Sequence, residues 1–209
     1  MDTREAYNAW ALQYDSNDNK TRDLEAGALR LSLENISFDT CLEIGCGTGK
    51  NTIWFIEKAK HITAVDLSDE MLAKAKEKIV SDKVAFKQAD ITKPWSFTNQ
   101  LYDLVSFSLV LEHIENLEHI FSEASAALKH GGHIYIGELH PFKQYSGSKA
   151  RFETEDGVQV VDCFNHHISE FIQTGKKYGL KPVDINEYFD NDDKSGIPRI
   201  IAILMKKDD

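Results

Sequence analysis

The run Cys41-Leu42-Glu43-Ile44 passes into Gly45-Cys46-Gly47-Thr48-Gly49, with glycines at alternate positions, and then into a segment of helical spacing. No other feature constrains the fold of this chain as tightly. Glycine adopts torsions closed to other residues and lets backbone approach a ligand closely. The helix that follows begins with unpaired amides and a positive dipole end, which favour a carboxylate or phosphate. The pattern therefore predicts a strand, a turn over 45–49 and a helix, with an anionic group of a ligand above the turn.

The remaining pattern extends that unit. Apolar strands alternate with amphipathic helices along 209 residues, without a repeat or a long linker, which predicts one domain built on a mostly parallel sheet covered by helices. Strands are expected over 40–44, 61–66, 84–88, 102–107, 133–137, 180–188 and 198–205, seven in all. Helices are expected over 5–15, 23–33, 51–60, 68–80, 115–129 and 169–178. In the helix over 51–60, Ile53, Phe55 and Ile56 are available to the sheet. Ser68 is placed to cap its helix, with Asp69 and Glu70 at the positive end and Lys74, Lys76 and Lys78 toward the negative end. Gly131-Gly132 reads as the stop of the helix over 115–129. The alternation in Val158-Gln159-Val160-Val161 predicts a hairpin within an insertion over 141–167, near the functional edge of the sheet. Residues 1–22, carrying Tyr7, Trp10, Leu12 and Tyr14 before a polar run at 16–20, form a short helix and a loop. The three aromatic residues supply either a lid or the apolar face of a docking helix.

Asp66 ends the second strand, 21 positions after Gly45, where a carboxylate can accept both hydroxyls of a ribose. A nucleoside-containing ligand follows. The G-x-G-x-G spacing departs from the G-x-G-x-x-G of dinucleotide binders and weakens a pyrophosphate reading. Charge narrows the partners further: 24 Lys and Arg stand against 34 Asp and Glu, a net −10, and basic residues cluster only in pairs such as Lys176-Lys177. Nucleic acid is thereby disfavoured. Cys41, Cys46 and Cys163 make no disulfide framework and match no zinc spacing, so a reducing cytoplasm and no metal are expected. The apolar stretch 104–111 is too short for a bilayer. Met1-Asp2-Thr3-Arg4-Glu5 has no signal-peptide character.

Four ordered segments carry a family resemblance: Glu43-Ile44-Gly45-Cys46-Gly47-Thr48-Gly49, Ala64-Val65-Asp66-Leu67-Ser68, Gln88-Ala89-Asp90-Ile91, and Tyr102-Asp103-Leu104-Val105-Ser106-Phe107-Ser108-Leu109. With Tyr14-Asp15 ahead of them, the chain resembles the small-molecule type of class I S-adenosylmethionine-dependent methyltransferases over residues 7–140. The resemblance implies a Rossmann-like seven-stranded sheet with helices on both faces and the last strand antiparallel. It also implies S-adenosylmethionine as cofactor and S-adenosylhomocysteine as product. On that basis the turn 45–49 meets the methionine carboxylate and ammonium, Asp66 holds the ribose, and Asp90 accepts from the adenine amino group. Leu67 and Ile91 flank the ring and Ser108 borders the methionyl arm. Tyr14, Glu43, Cys46 and Met71 complete the implied cofactor set. Cys46 otherwise reads as a small turn residue beside glycines.

Methyl transfer is a direct displacement, and alignment with exclusion of water can supply ~7–11 kcal/mol. A base is optional, useful when the acceptor is a hydroxyl or a protonated amine. Candidates are His113, Glu138, His140, His166 and His167, with His140 and His113 preferred because they follow strands four and five. The reading is a methyltransferase acting on oxygen or nitrogen of a small molecule, as a monomer or homodimer. Its rivals are a protein or RNA methyltransferase, a non-catalytic cofactor-binding module and a nicotinamide-dependent oxidoreductase. Ser106-Phe107-Ser108-Leu109 lacks the Asn/Asp-Pro-Pro-aromatic pattern of enzymes that methylate base amino groups. Asp190, Asp192 and Asp193 read as a solvated loop.

Overall fold

The structure, a computed structural model, describes residues 2–154 and 157–208. Helices α1 (Thr3–Trp10) and α2 (Lys20–Ser32) precede β1 (Thr40–Ile44), α3 (Lys50–Lys58), β2 (His61–Asp66), α4 (Asp69–Lys78) and β3 (Val84–Gln88). Then come β4 (Tyr102–Ser108), α5 (Leu117–Ala127), β5 (Leu128–Leu139) and the short α6 (Pro141–Tyr145). The chain closes with a hairpin of β6 (Arg151–Thr154) and β7 (Gly157–Val160), then α7 (Ile168–Lys177), β8 (Leu180–Tyr188) and β9 (Ile200–Lys207).

The main sheet has seven strands in the order β3-β2-β1-β4-β5-β9-β8. All neighbours pair in parallel except β9, the last strand, which runs antiparallel to both β5 and β8. Strand alternation divides the core into two layers. Leu42, Ile44, Val65, Val105 and Phe107 meet Ile120, Phe121 and Phe171 on one face. Cys41, Ala64, Leu104 and Tyr135 meet Leu29, Leu33, Phe55 and Leu72 on the other. This is the Rossmann-like architecture that the resemblance implies, with helices on both faces. No helix among the described residues is long and apolar enough to cross a membrane.

Local chemistry sets several boundaries. Ser68 Oγ accepts from Met71 N at 3.1 Å and starts α4, and Asn19 Oδ1 accepts from Arg22 N at 3.0 Å and starts α2. The polar run at 16–20 therefore ends in a helix cap. Helix α1 is shorter than the pattern predicts, because turns replace it after Trp10. In α3 the buried stripe is Asn51, Thr52 and Phe55, while Ile53 is 49% exposed. The largest departure concerns Gly131-Gly132, which do not cap α5. The helix stops at Ala127 and the glycines lie inside β5, whose register against β4 slips between Tyr102↔Leu128 and Leu104↔His133. A Cβ on Gly132 would stand 3.0 Å from Lys129 O and 3.1 Å from Asp103 O, so any side chain there would crowd both carbonyls.

The strand order reverses between β1 and β4, and their carboxyl ends open a crevice at this switch point. Gly49, with φ +85°, starts α3 beneath it, and a Cβ there would stand 2.6 Å from Ile79 Cδ1. Gly49→Ala is expected to cost about 1–3 kcal/mol through left-handed strain and overpacking. Urea unfolding with an unchanged midpoint would contradict this.

Candidate active site

The glycine turn is fixed from two directions. Gly45 N and Cys46 N both donate to Val65 O, at 2.8 and 3.0 Å, which ties the turn to the end of β2. Gly47 N donates to Asp66 Oδ2 and Ser68 N to Asp66 Oδ1, each at 2.8 Å, so this carboxylate bridges the turn and the start of α4. Burial raises the Asp66 carboxyl above its usual range, and the Ser68 and Gly47 amides oppose that shift. Above it lies a cavity of about 490 Å³, bordered by Asp66, Leu67, Met71, Asp90, Ile91 and Ser108. A Cβ on Gly45 would meet Val110 Cβ at 2.9 Å, so a side chain cannot stand there. Asp90 Oδ1 accepts from Thr92 N at 2.9 Å and from Thr92 Oγ1 at 2.6 Å, which holds the loop after β3.

A smaller recess of about 40 Å³ adjoins the cavity and is walled by Arg22, Glu25, Glu43, Cys46 and Asn51, with Tyr14 and Ser108 common to both spaces. Glu43 Oε2 accepts from Thr52 Oγ1 at 2.5 Å. Glu25 accepts from Asn51 Nδ2 and from the Tyr135 hydroxyl, each at 3.1 Å. Asn51 Oδ1 and Arg22 Nε are buried with no hydrogen-bond partner among the described residues. Burial is the largest cause of raised carboxyls throughout this region: Glu25 is pushed up to about 7, Glu43 and Glu138 to about 8, and Glu112 also rises. Burial also raises the Cys46 thiol well above its usual value.

The structure separates the histidines. His113 borders the large cavity. Its Nδ1 lies 2.9 Å from the Asp162 carbonyl oxygen, which only accepts, so Nδ1 carries the hydrogen. Nε2 then accepts from the Tyr7 hydroxyl at 2.9 Å. His140 is not brought to the cavity. It is fully buried as the cap of α6, where Nδ1 accepts from Phe142 N at 3.2 Å and Nε2 donates to Glu187 Oε1 at 3.0 Å. Pro141 follows it as the first residue of α6. Glu138 Oε1 accepts from Val110 N and Leu111 N at 3.0 and 2.8 Å, holding the turn after β4. His166 donates to Ile114 O at 2.7 Å, and His167 pairs with the Tyr145 hydroxyl at 2.6 Å.

Of the residues singled out in the sequence, Tyr14, Gly45, Gly47, Asp66, Leu67, Met71, Asp90, Ile91 and Ser108 border the large cavity. Glu43 and Cys46 border only the recess, and Gly49 supports the turn from below. Sequence reasoning missed Arg22, Glu25 and Glu112, and gave Tyr7 no chemical part. Glu25 had a signal: it shares the apolar face of α2 with Ala28 and Leu29, so a carboxylate stands within a buried stripe.

Residues 42–136 match the family described as methyltransferase domain. A demethylmenaquinone methyltransferase of Leptospira interrogans is 33% identical over 97 residues, which is 44% of this chain and 39% of that protein. The chain spans no more than 61% of the length of the curated relatives it first matches. The solved DhpI-SAH complex has a TM-score of 0.76 at 23% identity, covering 98% of this chain and 94% of that one. The N-methyltransferase NodS of Bradyrhizobium japonicum, solved with S-adenosylhomocysteine, has a TM-score of 0.73 at 18% identity and covers all of both chains. At these identities the structural likeness is one of fold. The matched segment is thus similar to the methyltransferase domain family, and the fold is shared with solved S-adenosylmethionine-dependent methyltransferases.

The buried acids make stability depend on pH. A carboxyl whose folded value lies above its unfolded value holds extra protons when folded, so its contribution is lost as pH rises toward the folded value. His133 and His140, lowered by burial, act in the opposite sense, but only near and below 6.5. The ligand-free protein is therefore expected to lose on the order of 1–2 kcal/mol between about pH 7 and 8.5. Glu138→Gln should flatten that slope in urea titrations, and a slope that is flat or rising in the wild type would contradict the reading.

Proposed function

We propose that the chain transfers a methyl group from S-adenosylmethionine to an oxygen or nitrogen of a small-molecule acceptor, releasing S-adenosylhomocysteine. The observation that carries this reading is Asp66, both of whose oxygens are aimed by backbone amides at the crest of a parallel sheet, beside a cavity of about 490 Å³. That volume lies in the range of small-ligand sites. The cofactor supplies an electrophilic methyl group on a sulfonium. Asp66 accepts the ribose hydroxyls with the lone pairs that the two amides leave free. Asp90 accepts from the adenine amino group, and Leu67, Met71 and Ile91 enclose the ring. In the recess, Asn51 Oδ1 suits an ammonium donor, and Arg22 Nε, which lies 3.8 Å from Asp23 Oδ1 without a hydrogen bond, suits a carboxylate, with Glu25 and Glu43 offsetting the positive charge.

Tyr7 is the residue best placed to orient the acceptor. It borders both the cofactor cavity and an adjoining chamber of about 660 Å³. Because its hydrogen goes to His113, its oxygen offers lone pairs to an approaching hydroxyl or ammonium, and His113 can take up a proton. Helix α1 and the hairpin act as the lid, closed by Trp10 stacked on Phe152 with ring centroids 5.1 Å apart. Water is thereby kept from the junction, where alignment of nucleophile and methyl drives the reaction.

Calorimetric titration is expected to show binding of S-adenosylhomocysteine and not of NAD. Asp66→Ala, checked for folding by circular dichroism, should weaken the former by about tenfold or more, since hydrogen bonds to a charged group are lost. Binding of NAD with neither adenosyl ligand would overturn the assignment. With an acceptor drawn from a metabolite library, Tyr7→Phe is expected to lower turnover by about tenfold or more.

A further inference from the structure

The chamber beyond Tyr7 differs in charge from the rest of this acidic protein. It lies between the connection from α1 to α2 and the loop over 146–151, and its walls carry Lys20, Lys149, Arg151 and Arg199 against Asp18 and Glu112. Arg199 is held by Asp190, Nε to Oδ1 and Nη2 to Oδ2, each at 2.5 Å. Lys20, Lys149 and Arg151 make no ion pair among the described residues. Two further walls are polar atoms buried without a hydrogen-bond partner among the described residues, Trp10 Nε1 as a donor and Glu112 Oε2 as an acceptor. Trp10 is 7% and Glu112 6% exposed, so water does not readily satisfy either atom.

Resting on the methyl-transfer reading above, we infer that this chamber admits a small acceptor bearing a carboxylate or phosphate, whose anionic end is held by Lys20, Lys149 and Arg151 and whose amine or hydroxyl end faces Tyr7 and Glu112. A chain with a net charge of −10 repels such an acceptor from most of its surface. Three unpaired cations around one opening reverse that field locally and draw the anion in. At the inner end, the N–H or O–H of the nucleophile can donate to Glu112 Oε2 and to the Tyr7 oxygen. A neutral acceptor would leave the cations unpaired, so the chamber discriminates by charge as well as by size.

The test is calorimetric titration of inorganic phosphate and of acetate, each in parallel, into the protein saturated with S-adenosylhomocysteine and into the protein without it. At least one anion is expected to bind saturably, and the tighter one identifies the group recognised. The double variant Lys149→Glu, Arg151→Glu, which alters two exposed side chains, should weaken that anion by at least about tenfold while binding S-adenosylhomocysteine as the wild type does. Saturable binding of neither anion, or equal binding by the variant, would overturn the inference. Should S-adenosylhomocysteine itself not bind, the methyl-transfer reading falls, and the titrations without it still decide the charge preference of the chamber.

Discussion

The crest of this sheet is organised by one carboxylate. Asp66 accepts from Gly47 N with one oxygen and from Ser68 N with the other, while the neighbouring Val65 carbonyl accepts from Gly45 N and Cys46 N. Four amides from two separate segments thus converge on two consecutive residues at the end of β2. The glycine turn therefore has its shape before any ligand arrives, which lowers the ordering cost of binding. The same contacts restrain the Asp66 carboxyl against the burial that would otherwise protonate it. Under the proposed function Asp66 holds a ribose and must be an acceptor, and the fold supplies the donors that keep it one.

Behind that carboxylate the structure is stressed rather than satisfied. Glu25, Glu43, Glu112 and Glu138 are all buried, and among the described residues none forms an ion pair with Lys or Arg. An arrangement selected for stability alone would replace such groups with apolar ones. The placement of Glu25 and Glu43 beside the recess makes sense for a ligand that arrives with positive charge. Under the proposed function, binding of the cofactor and ionisation of these acids are coupled, so occupancy releases protons and rising pH favours the loaded form. The stability given up in the empty protein thus becomes binding energy when the site is filled.

Much of this was legible in the sequence where the determining forces are local. The strands over 40–44, 61–66, 84–88 and 180–188 fall where alternation and apolar runs put them, and Ser68 caps α4 because its short side chain reaches an amide three residues on. The turn, Asp66 and Asp90 were visible because consecutive parallel strands deliver their carboxyl ends to one edge. The failures concern what sequence order does not encode. Gly131-Gly132 read as a helix stop, yet they lie inside β5, where Gly131 takes φ +74° and Gly132 packs against Asp103 O of β4 and Lys129 O of its own strand. His140 follows the right strand, but its ring is claimed by Phe142 N and by Glu187, 47 positions away. Glu25 meets Tyr135 across 110 positions and Tyr7 meets His113 across 106, pairings that only the packing of α1 and α2 onto the sheet creates.

This division between local and distant determinants follows the division of labour in the site. The cavity beside Asp66, the cofactor side under the proposed function, is made by the sheet itself, from turns whose geometry is bound to strand pairing and tolerates little change. The chamber is made by α1, the start of α2, and the loop over 146–151, segments laid on the sheet from outside it. Residues such as Lys20, Lys149 and Arg151 sit on those segments with exposed side chains and carry no structural burden in the core. Substitution there can redirect the acceptor while the Asp66 network stays intact. Under the proposed function, choice of acceptor is therefore physically separable from the binding of the methyl donor, and it resides in the parts of the chain whose sequence pattern is weakest.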